Sequence, residues 1–284
     1  MSNNIATLLR NAARQLESAG IDTARLDAEL LLAYCLSLSR SALLTQARQL
    51  TLTDSSITKF QSLISRRLGY EPVAYLTGVQ EFWSLSFEVG PGVLIPRPDS
   101  ETLIETAKRI CPSDRPLRIL DLGTGPGTLL LTLLHEFPHA TGIGIDCSDM
   151  ALGYARRNAA CLHLAGRAHF LRGDWLQGIT ERFDLIVCNP PYIGRDAQAT
   201  LMPDVVHHEP HLALFADHDG LAVYEQLIPQ LDCVLAANGA VLFETGATQA
   251  RTVAAMAEQS GFCCQIVPDL GLRERCVLLE RPGR

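Results

Sequence analysis

The chain has 284 residues, 47% hydrophobic and 19% charged, a globular balance with length for about two domains and a full core without disulfides or metals. Its formal net charge is −7, from 24 Lys/Arg and 31 Asp/Glu, which excludes a protein whose main work is coating nucleic acid, because phosphate affinity comes from clustered Lys and Arg. Residues 1–88 hold eight Lys/Arg and eight Asp/Glu, so the whole acidic surplus lies in 89–284. There are nine cysteines, none in C-x-x-C spacing, and they read as small buried hydrophobes in a reducing cytosol. No basic stretch followed by an apolar core opens the chain, and the longest run without Asp, Glu, Lys or Arg, 122–135, has 14 residues where a span needs about 20. The expectation is a soluble, cytoplasmic protein with no membrane segment.

In chain order, residues 4–70 carry helical spacing. Ile5, Leu8, Leu9, Ala12, Ala13 and Leu16 share one face, and Gly20 is a fitting stop. Leu26, Leu30, Ala33 and Tyr34 predict a second helix face. Asp54 is a candidate cap for a third helix that places Ile57, Phe60, Leu63, Ile64 and Leu68 together and ends at Gly69. From Gln80 to Val89 the apolar residues alternate, predicting a strand or hairpin, and Gly90-Pro91-Gly92 is a break. Asp99 or Ser100 is expected to cap a helix over 100–110. After Pro116, strands are predicted at 117–121, 141–145, 168–173, 183–188, 239–244, 262–268 and 275–280. Helices are predicted at 127–137, 149–163, 220–236 and 247–260. The fold class expected is α/β, a doubly wound Rossmann-like sheet of seven strands whose last two pair antiparallel, with a small N-terminal helical bundle and a connecting β-hairpin. The expected domains are 1–79, a hairpin or linker at 80–100, and 101–284.

Four segments carry chemistry. Asp121-Leu122-Gly123-Thr124-Gly125-Pro126-Gly127 lies where the first strand of the second domain turns into a helix, where glycines admit a ligand close to backbone and the helix start offers free N–H groups. The spacing is G-x-G-x-G; Thr128 stands where a dinucleotide fingerprint needs its third glycine. Asp146 ends the next strand, where a carboxylate accepts from both hydroxyls of a ribose, while Ser148 and Asp149 are better placed to cap the following helix. Asp174 and Trp175 follow the third strand and suit an adenine, the acid toward its amino group and the indole against its face. The strongest signal is the buried strand that ends in Asn189-Pro190-Pro191-Tyr192. Two prolines fix the backbone and donate no N–H, so neighbouring carbonyls stay free as acceptors. Asn189 adds a side-chain acceptor and Tyr192 an aromatic wall, which together make a rigid slot for a planar –NH2 group.

Together these segments resemble a class I S-adenosylmethionine-dependent methyltransferase. The resemblance implies cofactor binding by Gly123, Thr124, Gly125, Pro126, Gly127, Asp146, Trp175 and Asn189, and chemistry at Asn189, Pro190, Pro191 and Tyr192. The segments 71–78, 81–83 and 93–101, with Glu209-Pro210, Asp219-Gly220-Leu221 and Asp269-Leu270…Arg275, resemble the release factor glutamine methyltransferases, the PrmC/HemK family. That family implies methyl transfer to the N5 amide nitrogen of the glutamine in the Gly-Gly-Gln motif of peptide chain release factors, with no stable nucleic-acid partner. Pro126, Thr128, Thr245 and the 271–275 segment depart from the family's pattern. Four readings compete with this one, among them a non-catalytic cofactor-binding module, which is expected to have lost Asn189 or its prolines. A methyltransferase of a ribosomal-protein glutamine differs in its 97–101 segment, and one acting on adenine N6 or guanine N2 is expected to carry a basic flanking domain. An oxidoreductase is opposed by Thr128 and the Asn-Pro-Pro-Tyr turn. His207-His208-Glu209-Pro210-His211 imitates a metal cluster, but Pro210 interrupts a single helical face and no cysteine joins it, so no metal is expected.

Overall fold

The computed structural model describes residues 5–47 and 49–283, the side chain of Thr200 excepted. The chain opens with α1 (Ile5–Ser18), α2 (Ala24–Cys35), α3 (Arg40–Gln46), α4 (Asp54–Leu68) and α5 (Val73–Thr77). The hairpin strands β1 (Val79–Phe82) and β2 (Leu85–Glu88) follow, then α6 (Glu101–Ile110), β3 (Arg118–Leu122), α7 (Thr128–Glu136), β4 (Thr141–Asp146), α8 (Asp149–Cys161), β5 (Ala168–Arg172) and β6 (Phe183–Cys188). An irregular stretch holds β7 (Ile193–Gly194), α9 (Pro203–His208), α10 (His211–Leu214), β8 (Phe215–Ala216) and α11 (Asp217–Gly220). The chain closes with α12 (Ala222–Leu227), α13 (Leu231–Val234), β9 (Leu235–Glu244), α14 (Ala250–Gln259), β10 (Cys263–Pro268) and β11 (Glu274–Glu280). Two compact units result: Met1–Val79 with Met202–His208, and Gln80–Leu201 with Glu209–Arg284.

The helical unit is built on amphipathic faces. Ile5, Ala12 and Leu16 of α1 and Phe60, Leu63 and Ile64 of α4 are buried, as their spacing predicts. The second helix is a correction. Ala28, Leu31 and Leu32 fill the core, whereas Leu26 and Tyr34 are 40% and 38% exposed, because three consecutive leucines leave the buried face ambiguous to spacing alone. Lys59 covers the Tyr34 ring at 4.2 Å. A second correction concerns the start of α4. Thr53 is the cap, accepting from the Ser56 amide while Ser56 returns the bond, and Asp54 is the first helical residue. Two buried acids are paired. Asp27 accepts from Arg67 at 2.8 Å, and Glu29 from Arg25 at 2.9 Å and Arg40 at 2.8 Å. Arg67 also lies 3.6 Å from Asp204, and His208 Nε2 is 3.1 Å from the Gly69 carbonyl, so α9 belongs to this unit.

The second unit holds the seven-stranded sheet in the order β10-β11-β9-β6-β3-β4-β5. The pairs β6–β9, β3–β6, β3–β4 and β4–β5 are parallel, and β10–β11 and β11–β9 are antiparallel, as expected from the short final connection. Apolar runs such as Leu185-Ile186-Val187-Cys188 are fully buried because helices cover both faces of parallel strands. From β3 the chain first builds outward through β4 and β5, then returns to β6 on the other side. The carboxyl ends of β3 and β6 therefore flank a topological switch point, where open α/β sheets bind ligands. The helix predicted over 220–236 is instead α12, a 3-10 turn over Ile228–Gln230 and α13. Pro229 removes an amide donor and crowds the preceding turn.

Candidate active site

A cavity of ≈ 410 Å³ opens at the carboxyl ends of β3, β4 and β6. The loop after β3 forms one wall. Gly123 and Gly127 have φ +70° and +84°, a region costly for residues with a Cβ. A Cβ on Gly127 would also meet Leu131 Cδ1 at 3.0 Å and Ala155 Cβ at 3.3 Å, so the glycine lets α7 start against α8. Gly123, Thr124, Gly125 and Pro126 line the cavity; Gly127 lies behind it in this packing role. The Pro126 carbonyl is held by Asn158 Nδ2 at 2.9 Å.

Asp146 reaches the cavity from the end of β4. Ser148, not Asp146, caps α8 by accepting from the Ala151 amide at 3.2 Å. The Asp146 oxygens accept from the Gly125 amide at 2.9 Å and the Ser148 amide at 2.8 Å, which fixes the carboxylate between loop and helix with lone pairs to spare. Trp175 lines the cavity, and its ring stands where a Gly123 Cβ would contact it at 3.3 Å. Asp174 also faces the cavity, its Oδ2 accepting from Gln177 Nε2 at 3.0 Å.

The Asn189-Pro190-Pro191-Tyr192 turn contributes Asn189 and Pro191 to the lining, while Pro190 is buried beneath it. Tyr192 lies outside the lining. Its hydroxyl donates to Glu244 Oε1 at 3.4 Å, and its carbonyl accepts from Gln249 Nε2 at 2.8 Å. Burial raises the Tyr192 phenol, with Glu244 adding to the shift.

Three residues take positions at the site that sequence reasoning did not assign to them. Asp121, at the end of β3, is buried and lines the cavity. Its Oδ2 accepts from Thr124 Oγ1 at 2.6 Å and the Leu130 amide at 3.3 Å, while Oδ1 has no partner among the described residues. Burial pushes its carboxyl up to about 7 against those two bonds, and Asp146 adds to the rise. Ser100 lines the cavity and stands at the N-cap position of α6, as expected, but makes no side-chain capping bond; Asp99 pairs with Arg275 at 2.9 Å. Glu209 is buried, accepts from the Ile95 amide at 3.0 Å and pairs with Arg97, so it clamps the 95–97 segment that edges the cavity. The available signal for Asp121 was an acid inside an otherwise apolar strand end, two residues before the first glycine.

The donor set fits the cofactor implied by the sequence. An orphaned, buried Asp121 oxygen suits an ammonium group, Asp146 suits ribose hydroxyls, Trp175 suits an adenine face, and the glycine loop with the α7 start supplies amides. The histidine segment is divided: His208 contacts Gly69, Glu209 holds Ile95 and Arg97, and the His211 ring meets Phe215 edge-on at 5.2 Å.

Residues 7–78 match the family described as "PrmC N-terminal domain", and residues 113–270 match a family described as "Methyltransferase domain". The release factor glutamine methyltransferase of Caulobacter vibrioides is 39% identical over 276 residues, covering 95% of each chain. That of Bradyrhizobium diazoefficiens is 42% identical over 253 residues, covering 88% of this chain and 85% of the relative. Among solved structures, a methyltransferase from Pyrococcus furiosus has a TM-score of 0.54 at 16% identity, covering 78% of this chain and 97% of that one. The hMettl16 catalytic domain, in complex with MAT2A 3'UTR hairpin 6, has a TM-score of 0.58 at 17% identity, covering 73% and 78%. These two likenesses show the fold alone, whereas the sequence relatives span nearly the whole chain. Fold, cavity and relatives thus agree with the resemblance drawn from the motifs: the chain belongs to the release factor glutamine methyltransferase family.

Proposed function

We propose that this chain transfers a methyl group from S-adenosylmethionine to the N5 amide nitrogen of the glutamine in the Gly-Gly-Gln motif of peptide chain release factors. The observation that carries this reading is the meeting of Asn189 and Pro191 with Asp146, Trp175 and Asp121 around one cavity. The cofactor supplies an electrophilic methyl on a sulfonium when bound. Asp121, Asp146 and Trp175 bind and orient it, with the 123–127 loop.

An amide nitrogen is a poor nucleophile because its lone pair is delocalised into the carbonyl. Asn189 Oδ1 and the Pro190 carbonyl accept the two N–H bonds of the substrate amide. That turns the nitrogen toward the methyl and stabilises the positive charge that develops on it. No strong base is needed, since the methylated nitrogen becomes acidic and loses its proton afterwards. Tyr192, anchored through its hydroxyl to Glu244, flanks the glutamine stem.

The helical unit is assigned as the reader of the protein substrate. Its N-terminal part, up to Val79, falls within the neutral 88 residues of an otherwise acidic chain. No single helix among the described residues is long and apolar enough to cross a membrane; α2 and α3 pass together as a bent pair, but the buried leucines of α2 are core of the helical unit.

The test is incubation with methyl-labelled S-adenosylmethionine and, separately, a release factor, ribosomal proteins and nucleic acid. Label is expected in the release factor glutamine. Label confined to a ribosomal protein or nucleic acid overturns the substrate assignment. Replacing Asn189 removes a preorganised acceptor, and Asn189→Ala is expected to lower kcat roughly 10²–10³-fold at saturating cofactor.

A further inference from the structure

Three segments of the α/β unit meet on one side-chain amide behind the Asn189 turn. Gln249, half-buried just ahead of α14, donates through Nε2 to the Tyr192 carbonyl at 2.8 Å and to the Asp219 carbonyl at 2.9 Å. Its Oε1 accepts from the Gly246 amide at 3.0 Å. Both ends of the amide are thus engaged, and only one orientation serves all three partners. A flipped amide would set its N–H groups against the Gly246 N–H and its oxygen against two carbonyls.

The segment that shares Gln249 with the turn is strained. His218, Asp219 and Gly220 follow one another at φ +54°, +54° and +84°, a region costly for residues that carry a Cβ. Such a backbone persists only where its surroundings over-determine it. The packing here is backbone on backbone. A Cβ on Gly220 would collide with the Tyr192 carbonyl oxygen, and one on Gly194 would stand 3.3 Å from Asp219 Cα. Asp217, next to the strained residues, lines the cavity, as do Asn189 and Pro191, whereas Gln249 is not among the lining residues.

The turn needs an outside anchor. It leaves β6 at Cys188, which is fixed in the sheet between Leu122 and Phe243. Beyond that point Pro190 and Pro191 have no N–H to give, so the turn cannot close itself through them. Its far end is held at Tyr192 by two bonds. The hydroxyl reaches Glu244 at 3.4 Å, long for an O–H donor, whereas the carbonyl bond from Gln249 at 2.8 Å lies in the normal range. We infer that Gln249 is a positioning residue: by fixing the Tyr192 carbonyl it sets where the Asn189 side chain and the Pro190 carbonyl meet the substrate amide. The inference rests on the reading of those two groups as the substrate's acceptors.

The experiment uses Gln249→Met, which keeps the length of the side chain and removes all three bonds, and Gln249→Glu, which keeps an acceptor for Gly246 and, ionised, donates nothing. At saturating cofactor both variants should lose kcat roughly 10–100-fold, the scale of a displacement of about 1 Å imposed from outside the chemistry. KM for the release factor and the calorimetric affinity for S-adenosylmethionine should stay near wild type, the split expected of a group that serves only the transition state. The loss should shrink several-fold when Gln249→Met is placed in the Asn189→Ala background, because residues that act as a unit are not additive. In the ligand-free protein the side-chain NH2 resonance of Asn189, assigned by its loss in Asn189→Ala, should move in Gln249→Met, while the Gly125 amide held by Asp146 stays. Wild-type kcat in both variants, a loss that adds in full to that of Asn189→Ala, or an unmoved Asn189 resonance overturns the inference. So does a loss of kcat matched by an equal loss of cofactor affinity, the mark of a general loss of fold. If the wild type leaves release factors unlabelled while the resonance behaves as described, the substrate reading fails and the positioning of the turn by Gln249 stands.

Discussion

The helical unit and the α/β unit bury acids in opposite ways. In the helical unit Asp27 and Glu29 meet arginines directly, and although burial raises the Glu29 carboxyl, hydrogen bonds from Arg25 and Arg40 hold it below its ordinary value. In the α/β unit Asp121, which lines the cavity, and Glu244 are just as buried, but each keeps one oxygen without a partner among the described residues and stands near 7. The contrast separates two uses of a buried charge. Paired acids cross-link helices and cost much when the partner is removed. Under-satisfied acids with raised values mark candidate functional positions. Glu209 is the check on this division: buried beside the cavity yet paired with Arg97, it shapes a loop.

The comparison can be broken first where the effect is largest. Arg67→Ala leaves Asp27 buried without its cation and is expected to destabilise the helical unit by about 3–5 kcal/mol in urea unfolding. Asp121→Asn should leave unfolding in urea nearly unchanged while weakening cofactor binding by calorimetry. Equal stability losses in the two variants would erase the distinction. Next, Asp146→Ala is expected to weaken S-adenosylmethionine roughly 10–100-fold, as loss of charged hydrogen bonds costs about 1.5–3 kcal/mol. Unchanged affinity removes the ribose role.

The pH dependence sharpens the same contrast. Asp121 and Glu244 have folded-state values raised above the roughly 4 of an unfolded carboxyl, so their stability contribution is full below about 4 and declines as pH rises through 7. The wild-type melting temperature should include a component that falls between pH 5 and 8, and the double variant Asp121→Asn, Glu244→Gln should lose it. Glu29 works in the other sense, contributing above the unfolded value and losing that contribution in acid. The smallest effect belongs to the β10–β11 hairpin. Leu272 sits exposed at φ +61°, where a Cβ costs on the order of 1 kcal/mol, so Leu272→Gly should raise the melting temperature slightly without touching activity.

Much of the molecule was legible in order along the chain. Short apolar runs alternating with helical segments placed all seven strands of the sheet, and the glycine loop, Asp146, Trp175 and the Asn189 turn were visible because their residue types are unusual at strand ends. What misled was local competition. Thr53 and Asp54 are both plausible caps, and only backbone geometry chose the first. Ser100 looked like a cap because serine often is one, yet its hydroxyl makes no capping bond and accepts from Asn189 instead. Pro229 was passed over inside a long apolar pattern, although a helix interior cannot accommodate it without a break.

The sequence by itself determined the strand-and-helix alternation, because this depends on spacing and residue type within short windows, and its motifs carried the resemblance to the family. Tertiary structure alone decided which buried acids are satisfied. Ser100 and Asn189 lie 89 positions apart and Asp121 stands between them in sequence, and no local pattern shows that the three close on one cavity. Whether a buried carboxyl is cross-link or chemistry depends on the cations and donors brought within about 3 Å of it, which is a property of the folded chain.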